Sequence, residues 1–173
     1  MKEGNPSRTS NPDLGWPDDW SARVSGEVCS MCKAGRPDDD GYGLRIFQGR
    51  YADAYLQRAR VQTGYTKVIW RGRHVVEPTE LSDEESTGYW REVLLVAEAL
   101  QRRYQPLKMN YETLGNVAPH LHTHLVPRYL LDPAAGQPFP VPVDVDGIPA
   151  IPEDELEREA LTLRSMLDHS RSG

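Results

Sequence analysis

The run His120-Leu121-His122-Thr123-His124-Leu125-Val126 sets a histidine at every second position. The chain holds five histidines in 173 residues, so this cluster is not an effect of composition. A β-strand turns successive side chains to opposite faces, and residues i, i+2 and i+4 share one of them. On a strand, His120, His122 and His124 stand in a row, with neighbouring imidazoles about 6.5–7 Å apart. Leu121, Thr123 and Leu125 then face the other way, into a core. An imidazole face backed by a mostly apolar one suits a strand whose open side does chemistry.

The elements around this strand follow from composition and period. Leu107 to Glu112 reads as the preceding strand, joined to Leu121–Val126 by a loop around Gly115-Asn116. Before it, Ser82 with Glu85 three residues on forms a capping box, and Asp83 and Glu84 suit the positive end of a helix dipole. Trp90, Val93, Leu94, Ala97, Leu100 and Tyr104 recur at helical spacing and predict one buried stripe, which Pro106 ends. Tyr65 to Trp70 is the clearest β segment by residue type. Gly43 to Gln48 and Ala52 to Gln57 read as short strands around a Gly49-Arg50 turn.

The flanks differ from this middle. Residues 1–27 carry Pro6, Pro12, Pro17 and several glycines with no sustained period, and read as a tail pinned by Trp16 or Trp20. Residues 133–152 are Pro-rich and read as an extended segment draped over the surface. Residues 153–173 hold a closing helix from Glu153 to Asp168, with Leu156, Ala160, Leu163 and Leu167 on one side. The expected organisation is therefore a tail, a central domain over 28–132, the Pro-rich segment and a C-terminal helix. Strands interrupted by one long helix and closed by another give the α+β class.

A net charge of −6 argues against a surface that coats nucleic acid. No apolar stretch approaches the roughly 20 residues that span a bilayer. The N-terminus lacks the apolar core of a signal peptide, so a soluble, cytoplasmic protein is expected, without nucleic-acid or membrane partners.

Cys29-Ser-Met-Cys32 is the second signal. Two thiolates separated by two residues form half of a tetrahedral zinc site, and imidazoles commonly complete it. Zinc held by Cys29, Cys32, His74 and His120 would tie the N-terminal segment to the sheet. A redox pair or two ordinary cysteines are the other readings. The redox reading lacks an evident strand-to-helix junction to tune the thiol.

Histidine can act as a nucleophile, a general base or a metal ligand. The triplet therefore admits three readings: satisfied polar groups, one shared metal ion, or nucleophilic catalysis. With His120 taken by zinc, His122 and His124 remain free on the same face as surface groups.

The stretch from Met109-Asn110 through Gly115-Asn116 and Pro119-His120-Leu-His122-Thr-His124 to Pro127-Arg128 resembles the histidine triad (HIT) superfamily pattern. That pattern alternates histidine with apolar residues and carries an Asn about ten residues upstream; Thr123 is a mild departure. Gly64-Tyr-Thr-Lys-Val-Ile-Trp-Arg-Gly-Arg-His74 and Glu80-Leu-Ser-Asp-Glu-Glu85 resemble the family's strand, histidine and helix start. The match runs from Cys29 to Arg128, which makes 28–132 the HIT-like catalytic domain.

The resemblance implies an antiparallel sheet of about five strands flanked by helices, a homodimer, and a small nucleotide as substrate. It implies attack by the middle histidine, His122, on an α-phosphate, with transfer of the nucleotidyl group to that ring. His124, Asn110 and the loop amides near Gly115 and Asn116 would stabilise charge on the phosphate oxygens. Zinc in similar members is structural. Many members place an acidic residue for the ribose hydroxyls where this chain has Gln57; Asp53 is the alternative source of that charge. The expected activity is a hydrolase acting on dinucleoside polyphosphates or nucleoside phosphoramidates. A nucleotidyltransferase or phosphorylase sharing its first half-reaction, or a non-catalytic nucleotide sensor, are the alternatives.

Overall fold

In the computed structural model, which describes residues 15–142 and 145–171, five strands form one antiparallel sheet in the order β1-β2-β3-β5-β4. The strands are β1 (Gly43–Gln48), β2 (Ala52–Gln57), β3 (Thr66–Trp70), β4 (Lys108–Glu112) and β5 (His122–Arg128). Short helices α1 (Trp20–Val24) and α2 (Ser30–Ala34) precede the sheet. The long α3 (Asp83–Tyr104) connects β3 to β4, and α4 (Glu153–Arg171) closes the chain. The α+β class, the five strands and both principal helices are as expected. Pro6 and Pro12 lie outside the described residues.

The period-2 pattern divides the sheet into two faces. Ala52, Ala54 and Leu56 of β2, Val68 and Trp70 of β3, and Leu125 of β5 turn to one side with Leu121. There they pack against Tyr89, Val93, Val96, Ala97 and Leu100 of α3 and against Leu156, Ala160, Leu163 and Leu167 of α4. The four apolar positions read from α4 are all buried in this core. Thr123, the polar departure in the triplet, also lies on this face. Its hydroxyl meets that of Tyr89 at 2.8 Å and that of Thr113 at 2.9 Å, so the core polar group is satisfied.

α3 starts on its capping box: Glu85 N–H donates to Ser82 Oγ, and the Glu85 carboxylate accepts from Ser82 N–H. It ends at Gln105, the non-glycine residue with positive φ (48°) among the described residues, just before Pro106. Five of the six residues expected on its buried stripe pack in the core: Val93, Ala97 and Leu100 are buried, and Trp90 and Tyr104 lie partly buried against them. Leu94 is 55% exposed instead, and Tyr89, Val96 and Ala99 widen the stripe. The sheet and α4 both pack on α3 and together claim a wider arc than one stripe.

Residues 133–142 and 145–152 carry no helix or strand. Phe139 packs on Tyr65 and Val126 on the other face of the sheet and covers one end of the histidine face. Ile151, whose N–H donates to the Arg58 carbonyl, packs instead against the helix-covered core. No helix among the described residues is long and apolar enough to cross a membrane.

Candidate active site and metal centre

His122 and His124 stand side by side on β5, with ring centroids 4.8 Å apart and planes at 68°. That is closer than the strand repeat alone predicts, and each ring has its own hydrogen-bond partner. The Nδ1–H of His122 donates to the His120 carbonyl at 2.6 Å, which leaves the Nε2 lone pair free. Nδ1 of His124 lies 2.5 Å from the Tyr65 hydroxyl, and the two rings are parallel within 5°. Neither histidine is a surface group: His122 is 6% exposed and His124 5%. The expectation of surface imidazoles fails because this face is covered by packed rings, His124 lying against both Tyr65 and His122.

Burial is the main cause of a lowered pKa at both rings. It depresses His122, and with the positive charge of His122 and Lys67 nearby it takes His124 down to about 3. At neutral pH both imidazoles are therefore uncharged. An uncharged His122 with Nδ1 protonated and Nε2 bare is in the state a nucleophile needs.

Asn110 lies on β4, paired with Val126 of β5, on the histidine face. Its Oδ1 accepts from Arg128 Nη1 at 2.5 Å, so its NH2 group is the end left to donate. Arg128 is itself held by Asp132 and by the carbonyls of Ala134 and Gln137. Gly115, at φ 110°, and the exposed Asn116 lie in the loop from β4 to β5, which Arg23 anchors by donating to the Val117 carbonyl. A groove of about 900 Å³ runs past Asn110, Glu112 and Arg128 on this flank of the histidines.

Gln57 is buried at the end of β2, donating from Nε2 to the Tyr55 carbonyl at 3.2 Å. Asp53 is fully buried on β2, and both its carboxylate oxygens are occupied. Arg36 donates to both, and Arg71 Nε donates to Oδ2 at 2.8 Å. Asp53 is therefore committed to a structural network and offers nothing to a ribose. A second cavity of about 270 Å³, on the β3 flank, is lined by Lys67, Ile69 and Arg71 with Met31, Pro37 and Tyr42.

Cys29, Cys32, His74 and His120 bring one ligand atom each within 4.8 Å of one another. The individual S···N separations are 3.4 Å for Cys29 with His120, 3.4 Å for Cys32 with His74 and 3.5 Å for Cys32 with His120. Tetrahedral Zn–S and Zn–N bonds of ordinary length require about 3.6 Å. Both imidazoles present Nδ1 to the cluster and anchor Nε2–H on a backbone carbonyl, His120 on Trp70 and His74 on Val24. Such outer hydrogen bonds fix the tautomer that a metal requires. Burial and the neighbouring Cys29 push the Cys32 thiol up to about 11, so a metal bound here would have to displace its proton. The donor set and geometry fit zinc.

His120 precedes β5 and departs from the row: its ring serves this cluster, while only its carbonyl faces His122. Tyr65, Lys67 and Arg128 were missed as contributors to the site. Tyr65 and Lys67 carried a signal, since Tyr-Thr-Lys-Val-Ile-Trp alternates and its first and third residues must share a face.

The HIT domain family matches residues 44–131. The Hit protein of Bacillus subtilis is 28% identical over 108 residues, covering 60% of this chain and 72% of its own. A bis(5'-adenosyl)-triphosphatase of Saccharomyces cerevisiae is 23% identical over 92 residues, half of this chain but only 45% of that enzyme's length. Among solved structures, a histidine triad protein from Bradyrhizobium japonicum superposes with a TM-score of 0.64 at 22% identity, over 77% of this chain and 96% of its own. A Zn-bound histidine triad family protein from Mycobacterium smegmatis superposes at 0.57 and 21% identity, over 84% and 97%. With more than half of its residues matched and its sheet shared, this chain belongs to the HIT domain family.

Proposed function

We propose that this protein is a nucleotide hydrolase acting at an α-phosphate through a nucleotidyl intermediate on His122, with dinucleoside polyphosphates or nucleoside phosphoramidates as its substrate class. Membership of the HIT family and likeness to a bis(5'-adenosyl)-triphosphatase support nucleotide processing. The observation that carries the reading is the 2.6 Å hydrogen bond from His122 Nδ1–H to the His120 carbonyl, which aims a bare Nε2 out of the sheet.

In the first step on a dinucleoside polyphosphate, the Nε2 lone pair forms a bond to the α-phosphorus. The P–O bond to the leaving polyphosphate breaks, and its electron pair departs with that anion, which needs no proton. The positive charge gained by the ring is shared through Nδ1–H with the His120 carbonyl. Asn110 NH2, His124 Nε2–H and amides near Gly115 and Asn116 offer donors to the phosphate oxygens, which gain charge as the reaction proceeds. Water then attacks the phosphorus, the P–N bond breaks with its electrons returning to Nε2, and a proton leaves to solvent. Dividing one displacement into two lowers the barrier to each. Gln57 offers hydrogen bonds to the sugar.

The Cys29, Cys32, His74, His120 cluster would hold zinc, and the ion would supply folding energy and fix His120. A homodimer and a cytoplasmic setting complete the reading. The test is release of nucleoside monophosphate from diadenosine polyphosphate, adenosine phosphoramidate and a nucleotide sugar, with and without added phosphate. His122→Ala should abolish release at temperatures where circular dichroism shows the variant folded. Undiminished release in that variant sinks the mechanism.

A further inference from the structure

We propose that Lys67 is the substrate-binding cation of this site, donating from Nζ to a non-bridging oxygen of the phosphate held at His122. The proposal rests on the reading of His122 as the nucleophile and adds a residue that the triad pattern does not contain.

Lys67 sits on β3 with Tyr55 of β2 on one side and His124 of β5 on the other. Ile69, two residues on and on the same face, pairs with His122. Lys67 is thus directly opposite one of the two catalytic imidazoles and diagonal to the other, within reach of a long side chain. It lines the 270 Å³ cavity on the β3 flank, across the histidines from Asn110. A phosphate over His122 would then be gripped from two sides, by an amide on the β4 flank and an ammonium on the β3 flank.

The other charges of that cavity have partners of their own. Arg71 donates to Asp53, to the Tyr55 hydroxyl and to the Met31 carbonyl. Asp40 Oδ1 accepts from the N–H groups of Tyr42 and Gly43, and its negative charge also acts on Lys67. Among the described residues Lys67 Nζ has no hydrogen-bond acceptor; it lies over the Tyr42 ring, 5.5 Å from the centroid. Its surroundings strip water from it and lower its pKa, an effect that Asp40 partly offsets. A desolvated ammonium with unused donors, facing a cavity beside a nucleophile, is complementary to an anion.

The experiment is calorimetric titration of the full-length, zinc-loaded protein with AMP, GMP, CMP and UMP, using wild type, Lys67→Met and Lys67→Arg. Methionine keeps the volume and removes the charge; arginine restores the charge. For the tightest nucleotide, Lys67→Met should weaken binding by about 10- to 100-fold, the range of a charge-assisted hydrogen bond, and Lys67→Arg should regain most of it. Equal binding by wild type and Lys67→Met overturns the proposal and leaves the nucleotide reading standing. Equal losses in both variants overturn it too, since packing and not charge is then responsible. If wild type binds none of the four, the nucleotide reading itself fails, and this proposal fails with it.

Discussion

The carbonyl of His120 accepts Nδ1–H of His122 at 2.6 Å, while the His120 ring turns Nδ1 to Cys29 and Cys32. A single residue therefore joins the zinc-type cluster to the proposed nucleophile, through its ring on one side and its backbone on the other. The cluster also reaches the substrate side, because Met31, between the two cysteines, lines the cavity next to Lys67.

The first prediction concerns that link. Freshly purified protein should contain about one zinc per chain by elemental analysis. Chelation, or Cys29→Ser, should remove it and lower the melting temperature by about 10 °C or more, as expected when several kcal/mol leave a domain of this size. Turnover measured well below the new melting point should fall less steeply than stability, because on the proposed reading the metal would position His120 while His122 carries the reaction. A metal-free protein with an unchanged melt would remove the structural role.

A second prediction follows from Arg128 and Asn110. Arg128 donates to Asn110 Oδ1 and so leaves the amide NH2 as the end that would face the proposed phosphate. Arg128→Met and Asn110→Ala should each reduce turnover about tenfold or more. In combination they should cost little more than either alone, because residues that act as a unit are not additive. Additive losses in the double variant would mean that Arg128 works independently of the amide.

Much of this was legible in the chain and some was not, for reasons of range. The strands, the Ser82–Glu85 cap and the apolar side of α4 are local patterns, and each was read from its own segment. The four-residue cluster was legible because thiolate pairs and imidazoles have few other uses together. The Asn110–Arg128 bond depends on β4 pairing with β5 in one particular register, which no local pattern specifies. The departure of His120 from the row has the same origin. Leu121 N–H donates to the Val75 carbonyl, so the chain swings toward His74 before β5 begins. The width of the α3 stripe was not legible, because Tyr89, Val96 and Ala99 are buried against elements distant in sequence.

Asp53 separates structure from recognition. Its carboxylate is fully buried between Arg36 and Arg71, which join the α2 region and the end of β3 to the middle of the sheet. Asp53→Asn should destabilise the fold by up to about 3–5 kcal/mol, because it leaves the mostly buried Arg71 guanidinium without its partner, while Arg36, 36% exposed, can turn to water. The Michaelis constant of the surviving folded protein should barely move. A stable variant with a raised Michaelis constant would return Asp53 to the ribose.

His124 gives the pH dependence. Its ring lies beside the Tyr65 hydroxyl, opposite Lys67 on β3 and Glu112 on β4, with His122 next along the strand. Burial, followed by the charges of His122 and Lys67, lowers its pKa from 6.5 to about 3. Unfolding lets the ring take up a proton that the folded state refuses. Its contribution to stability is therefore complete above pH 6.5 and is lost as the pH falls from 6.5 toward 3. Raising the pH further adds nothing from this group. Between pH 6 and pH 4 wild type should lose stability faster than His124→Gln, by up to about 1.4 kcal/mol per pH unit for one proton. Loss of zinc in acid acts on both proteins with the same sign and cancels in the comparison. Parallel denaturation curves over that range would mean that His124 titrates normally, and that burial does not hold it neutral.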